Sequence, residues 1–116
     1  MTYIHVRTGR RLSTEVANAL RDDIVDLLYM VRKAPSTCMI DIDTGCNIRM
    51  GDGGEPCVFV DMRFAVMPED EELRAFSVEL AGLFADALGV DVNQMYFNFG
   101  TMPYCATGSV LAPEQR

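Results

Sequence analysis

The stretch CVFVDMRF, residues 57–64, repeats the pattern of TYIHVR, residues 2–7, and this repetition decides the fold. In each stretch apolar side chains alternate with polar ones, which is the period of a β-strand that buries one face. The corresponding positions Ile4 and Val58 lie about 54 residues apart. A pattern that recurs at a nearly constant interval indicates a duplicated structural unit.

A helical pattern and a further alternating stretch follow each of these strands. Leu20 and Phe76 occupy corresponding positions in the two helical patterns. The chain therefore contains two strand–helix–strand units, at about residues 2–43 and 57–99. Two copies are too few for a solenoid, so we predict a single α+β domain over residues 1–116, with the element order βαββαβ.

Capping and helix-breaking residues mark the ends of the two predicted helices. Ser13 or Thr14 is expected to cap the first helix, and Pro35 is expected to end it. Pro68 and the acidic residues that follow it indicate the start of the second helix, and Gly89 is expected to end that helix. Helical crossovers between parallel strands are right-handed. The two units therefore predict a four-stranded mixed sheet with both helices on one face.

The other face of the predicted sheet combines aromatic and charged side chains. The alternation of the strands assigns these residues to it: Tyr3, His5, Arg7, Met39, Asp41, Phe59, Asp61, Arg63, Tyr96 and Asn98. Such a face is neither a free solvent surface nor an apolar core. We therefore expect other subunits to cover it, with the charges lining a shared interior.

The acidic composition limits the partners of the chain. Its 116 residues carry a net charge of −7 with a pI near 4.5, so neither nucleic acid nor an anionic membrane surface is an expected partner. No apolar run approaches the roughly 20 residues of a membrane span. The first residues lack the charged and apolar regions of a signal peptide. We therefore expect a cytoplasmic protein.

The sequence contains no recognisable metal or cofactor motif. The cysteines form no C-x-x-C pair, which favours buried reduced thiols; they are Cys38, Cys46, Cys57 and Cys105. Residues 41–45 begin like a calcium loop, but Cys46 and Asp52 stand where such a loop needs glycine and glutamate. His5, the single histidine, is more consistent with a structural role than with catalysis. We expect no metal and no cofactor.

One group of residues suits the binding of a small carbonyl or carboxylate compound. Lys33, the single lysine, follows the first helix, and Tyr96 and Asn98 project from one side of the last strand. In a two-unit fold the start of the first strand can lie close to the segment after the first helix. A cation beside a chain terminus, with a phenol and an amide, polarises a carbonyl group. A surface lysine and an interface Tyr–Asn pair remain the alternative.

Four segments along the chain share the pattern of a known family: KAP at residues 33–35, GEPC at 54–57, LAGL at 80–83 and VNQMYFNF at 92–99. In combination they make the chain similar to the tautomerase superfamily, in the branch of macrophage migration inhibitory factor and D-dopachrome tautomerase. The similarity spans nearly the whole chain. It implies a homotrimer, a trimeric tautomerase-like barrel, with three sites at the subunit boundaries.

The resemblance also implies the residues of each site. One subunit supplies Lys33, and its neighbour supplies Tyr96 and Asn98. Ala65 is a further substrate-binding position, and the ligand is a small carbonyl or carboxylate compound of the phenylpyruvate type. The family's catalytic residue is an N-terminal proline, whose secondary amine moves a proton between the carbon and the oxygen of an enol–keto pair. Thr2 stands at that catalytic position here.

Thr2 leaves two functions open. If Met1 is removed, the α-amine of Thr2 is a weak substitute base, since an ordinary α-amine has a pKa of about 7.7. The protein is then a keto–enol tautomerase of reduced activity. If Met1 stays, the amine is displaced by one residue, and a non-catalytic trimeric binding or cytokine-like protein results. The family's C-x-x-C motif is also broken, because Val60 replaces the thiol that would follow Cys57, and this disfavours thiol-oxidoreductase activity.

Overall fold

Strands and helices follow one another along the chain in the order that the sequence predicts. The computed structural model describes residues 1–111, and residues 112–116 of the predicted domain lie outside the described range. The elements are β1 (Thr2–Thr8), α1 (Thr14–Asp26), β2 (Cys38–Asp43), β3 (Val58–Phe64), α2 (Asp70–Leu88) and β4 (Met95–Thr101). No helix within residues 1–111 has both the length and the apolar character that crossing a membrane requires.

The four strands form one mixed sheet in the order β2-β1-β3-β4. β1 pairs with β2 in parallel, and β3 pairs with β4 in parallel, so each strand–helix–strand unit supplies one parallel pair. The two units meet where β1 and β3 pair antiparallel at the centre of the sheet. The predicted α+β fold class and the mixed sheet are therefore confirmed.

One face of the sheet carries the core. β1 and β3 show the same alternation of buried and half-buried residues, which repeats the pattern seen in the sequence. Both helices pack their buried residues against this face, because a helix with one apolar stripe must bury it against another element. The largest fully buried side chains include Ile4, Leu20, Ile24, Leu28, Met62, Phe64, Phe76, Leu80 and Phe84.

The two helices begin and end with local capping interactions. The Ser13 hydroxyl accepts a hydrogen bond of 3.2 Å from the main-chain N–H of Val16, as the sequence predicts for the first cap. Glu69 and Glu72 form a capping box at the start of α2. Gly89 ends α2 with a φ of 64°, in the left-handed region that glycine adopts without strain.

The prediction that Pro35 ends the first helix is wrong. α1 ends at Asp26, and the chain tightens into a 3₁₀ turn over Leu28–Val31. Arg32 caps the C-terminal end of this turn with a φ of 57°, in the left-handed region. Residues in this conformation commonly end helices and change the direction of the chain. Pro35 begins a second 3₁₀ turn, Pro35–Thr37, which leads into β2. Lys33 therefore follows a turn that Arg32 ends.

Candidate functional site

A small cavity lies beside the start of the chain. Its volume is about 220 Å³, and its lining includes Met1, Lys33, Ala65 and Val66. The pairing of β1 with β3 brings these segments together, since the main-chain N–H of Ala65 donates a hydrogen bond of 3.0 Å to the carbonyl of Met1. The structure thus places the start of the first strand next to the segment after the first helix, which is the proximity that the sequence suggested.

Lys33 supplies a positive charge to this cavity, whose lining also includes Arg32. Its ammonium group donates a hydrogen bond of 2.8 Å to the main-chain carbonyl of Val66 and lies 5.8 Å from the centre of the Phe64 ring. Burial lowers the pKa of Lys33 below its ordinary value of 10.5, and the nearby charge of Glu72 opposes part of this effect. An ammonium group has three N–H donors, so further donors remain for an anionic ligand.

Glu72 holds the backbone next to Lys33 in place. One of its carboxylate oxygens accepts a hydrogen bond of 3.1 Å from the main-chain N–H of Glu69, which caps α2. The other oxygen lies 2.8 Å from Nε of Arg32, the residue that reverses the chain after the 3₁₀ turn. The start of α2 is thereby linked to the residue that precedes Lys33.

Thr2 points its side chain into the core and away from solvent. Only 2% of its surface is exposed, and its hydroxyl has no hydrogen-bond partner among the described residues 1–111. The alternation of β1 explains this, because Thr2 shares its face of the strand with Ile4 and Val6. Any chemistry at position 2 must therefore come from its main-chain nitrogen, since the hydroxyl is turned away from the cavity side.

Tyr96 and Asn98 lie on the open face of the sheet, apart from Lys33 within one chain. The Asn98 amide donates a hydrogen bond of 2.8 Å to Asp61 on the neighbouring strand. Burial alone would raise the pKa of the Asp61 carboxyl, but the hydrogen bonds from Asn98 and Arg63 outweigh it and lower that pKa. Asp61 thus orients the side-chain amide of Asn98.

A second cavity lies next to Tyr96. It has a volume of about 330 Å³ and is lined by Arg7, Arg49, Phe59 and Tyr96, among others. The Tyr96 ring packs edge-on against Phe59, with the ring centres 6.3 Å apart. Sequence reasoning missed Arg49, because it lies in the glycine-rich loop between β2 and β3 and no local pattern marks it. Arg7 and Arg49 are the charged residues of this cavity, and the rest of its lining is mostly apolar.

The fold defines a class of protein. A four-stranded mixed sheet built from two βαβ units, with two helices on one face, is also the fold of solved structures of macrophage migration inhibitory factor. The predicted resemblance is confirmed at the level of fold, because solved structures of macrophage migration inhibitory factor are among the 136 chains that match this structure. The sequence alone matches no known protein family and no curated protein.

Three solved structures illustrate the match. The MIF2 protein of Leishmania major superposes with a TM-score of 0.87 at 11% identity, over 96% of this chain and 97% of its own. The macrophage migration inhibitory factor of Oncomelania hupensis gives 0.82 at 22% identity, over 96% of this chain and 82% of its own. Pt0534, inactivated by 2-oxo-3-pentynoate, gives 0.81 at 13% identity, over 98% and 99%. At such identities the likeness shows a common fold.

Proposed function

We propose that the chain forms a homotrimer whose subunit boundaries bind small compounds that carry a carbonyl and a carboxylate group. Lys33 of one subunit faces Tyr96 and Asn98 of its neighbour in this arrangement. The proposed keto–enol tautomerase activity is weak or lost, because Thr2 replaces the catalytic proline. The observation that carries the proposal is the cavity in which the Lys33 ammonium lies beside Met1, at the start of the chain.

The open face of the sheet supports the assembly. Met39 is 70% exposed and Tyr96 is 63% exposed on the single chain, and they lie on the two edge strands of the sheet, β2 and β4. Exposed large apolar side chains that share one surface commonly mark an interface. Lys33 and the pair Tyr96–Asn98 line different regions of one chain, so a site that uses all three needs a second subunit.

The charge of the cavity supports a ligand that carries a carboxylate group. An ammonium group pairs with a carboxylate through a charge-assisted hydrogen bond, and Lys33 has donors to spare. The compound that inactivates Pt0534 is a 2-oxo acid, with a carbonyl next to its carboxylate. Phenylpyruvate has the same two groups, and its enol and keto forms differ by the position of one proton.

Position 2 governs whether the bound compound reacts. Keto–enol conversion needs a base that removes a proton from carbon and returns one to oxygen. With Met1 removed, the α-amine of Thr2 is available for this task as a weak base. With Met1 retained, its carbonyl is tied to Ala65 and its residue fills part of the cavity, which favours the alternative of a non-catalytic trimeric binding or cytokine-like protein.

A phenylpyruvate enol–keto assay on untagged protein of known intact mass tests the proposal. We expect slow turnover by wild type without Met1, at least about tenfold slower turnover in Lys33→Ala, and no change in Arg21→Ala, which removes an exposed cation of α1. Thr2→Pro should raise the rate. Inactive wild type together with an active Thr2→Pro variant selects the binding protein over the enzyme.

Native mass spectrometry provides the assembly test. The expected species has three times the 12.9 kDa mass of one chain. A monomer at all concentrations, or phenylpyruvate binding that is absent in wild type and Thr2→Pro alike, would overturn the proposal.

A further inference from the structure

Three potential metal ligands cluster on the open face of the sheet. Nε2 of His5 lies 2.7 Å from a carboxylate oxygen of Asp43 and 3.9 Å from one of Asp41. One donor atom from each of the three side chains lies within 4.8 Å of the other two. This His–Asp–Asp cluster is separate from the Lys33 cavity described above.

The strand register builds the cluster. β1 and β2 run parallel with His5 paired to Asp41, so these two side chains stand side by side on one face. Asp43 follows two residues later on β2 and returns to that same face, because side chains alternate along a strand. The three ligands therefore come from rigid elements, and a metal site built on strands is held more precisely than one on a loop.

Carboxylates are the charged groups nearest to His5, and Arg7, which the register pairs with Asp43, forms no ion pair with it within 4.0 Å among residues 1–111. Among residues 1–111, His5 is the basic side chain that lies within 4.0 Å of Asp41 and Asp43. The neighbouring Asp61 is already engaged by Arg63 and Asn98.

We propose that His5, Asp41 and Asp43 form a binding site for a divalent transition-metal ion of the Mn²⁺ or Zn²⁺ class. Metal–ligand bonds of about 2.1 Å place neighbouring donors about 3.0 Å apart in octahedral and about 3.4 Å apart in tetrahedral coordination. The distances of 2.7 and 3.9 Å from His5 lie on either side of these values. Small side-chain rotations thus bring all three donors to one ion.

The mixed donor set selects the class of metal. Calcium and magnesium take oxygen ligands, whereas imidazole nitrogen is a ligand for first-row transition metals. Three protein ligands leave coordination positions for water, and on the single chain the carboxylates of Asp41 and Asp43 are 54% and 52% exposed. The sequence by itself predicted no metal, because Asp41 and Asp43 lie at the start of a poor calcium loop. Only the register of β1 and β2 shows that these two residues stand beside His5.

The test uses untagged protein, so that His5 remains the single histidine. Electron paramagnetic resonance follows the loss of the free Mn²⁺ signal as the ion binds. Mn²⁺ is chosen because it binds weakly to thiols, so the four cysteines should not capture it. We expect one bound Mn²⁺ per chain, and an affinity about tenfold or more weaker in Asp43→Asn and His5→Gln. Asp26→Asn should leave the affinity unchanged, since Asp26 belongs to a separate acidic groove between α1 and α2.

A measurement on the wild-type protein removes any dependence on variants that fold poorly. Nitrogen resonances of the one imidazole report ligation directly, and we expect the Nε2 resonance to shift on addition of Zn²⁺. An unshifted imidazole, or Mn²⁺ binding that Asp26→Asn weakens and Asp43→Asn does not, would contradict the proposal. Absence of saturable Mn²⁺ binding to wild type would overturn it as well. These outcomes do not depend on turnover of phenylpyruvate, because all three ligands come from one chain.

Discussion

The Lys33 ammonium donates a hydrogen bond of 2.8 Å to the main-chain carbonyl of Val66, across the cavity that also contains Met1. This bond joins the turn after α1 to the segment that follows β3. It holds the single lysine of the chain at the start of β1, where a charged ligand would meet the chain terminus. Four predictions follow from the contacts around this cavity and beneath it.

The amine of Lys33 should titrate below the ordinary pKa of lysine. Burial lowers its pKa from 10.5, and Glu72 only partly compensates, so the neutral amine appears at a lower pH than in a free lysine. Acetylation followed by mass spectrometry of the Lys33 peptide measures this, because the midpoint of the rate against pH reports the pKa. A midpoint at or above that of a model lysine peptide would contradict it. The affinity for a carboxylate ligand should fall as the pH rises through the same midpoint.

Thr2→Val should stabilise the protein. The Thr2 hydroxyl is buried without a hydrogen-bond partner among residues 1–111, and leaving such a group unsatisfied costs about 1 to 3 kcal/mol. Valine has nearly the same shape and removes the polar atom. We expect the free energy of unfolding in urea to rise by about 1 kcal/mol. Thr2→Ser keeps the hydroxyl and serves as the control, and equal stability of wild type and Thr2→Val would show that the hydroxyl is solvated.

Glu72 should contribute to stability through two separable interactions. Glu72→Ala removes both the cap to Glu69 and the pair with Arg32, and we expect a loss of about 1 to 2 kcal/mol. Glu72→Gln retains a carbonyl oxygen for the cap and loses the ion pair, which is worth less because Arg32 is 76% exposed. Thermal unfolding of the two variants measures the difference. If Glu72→Gln is as damaging as Glu72→Ala, the ion pair dominates and the assignment of the cap is wrong.

Cys38 should remain a protonated thiol in neutral solution. Burial raises its pKa to about 11, and the positive chain terminus opposes this only in part. Since the folded protein holds the proton more tightly than the unfolded chain, the contribution to stability is full below the ordinary pKa of 9.0 and is lost as the pH rises towards 11. After allowance for solvent screening of this half-buried group, the loss is about 1 kcal/mol.

Urea unfolding at a series of pH values measures the effect on stability, and Cys38→Ala should remove it. Alkylation provides a second readout, in which the rate at Cys38 keeps rising up to a pH of about 11. A plateau of that rate near pH 9 would show that the thiol has an ordinary pKa.

The local sequence predicted most of the elements and missed one boundary. Ser13 and Gly89 mark helix ends through interactions with their nearest neighbours in the chain, so their roles could be deduced from residue type and position. The end of the first helix could not. The helix gives way after Asp26 to the 3₁₀ turn Leu28–Val31, and that turn ends at Arg32, an unusual residue for the left-handed region, whose side chain is paired with Glu72 from the other unit. No pattern near Pro35 contains that partner.

The candidate sites were also predicted only in part from local patterns. The alternation of residues assigned Tyr96 and Asn98 to one face of the sheet, and the duplicated pattern indicated that Lys33 could approach the start of the chain. Only the pairing of strands showed that Asn98 is oriented by Asp61, and that His5 stands beside Asp41. Register between strands far apart in the chain depends on contacts that residue types do not specify one by one.

By itself, the sequence determined the two βαβ units, the α+β class and the division of each strand into a buried and an open face. These properties depend on periodicity, because side chains that alternate along a strand must go to opposite faces. The tertiary structure alone decided where each chemically active group lies. It turned the Thr2 hydroxyl into the core, placed Lys33 beside Met1, and joined His5 to two carboxylates of another strand. Those positions follow from packing between distant segments, which no local pattern records.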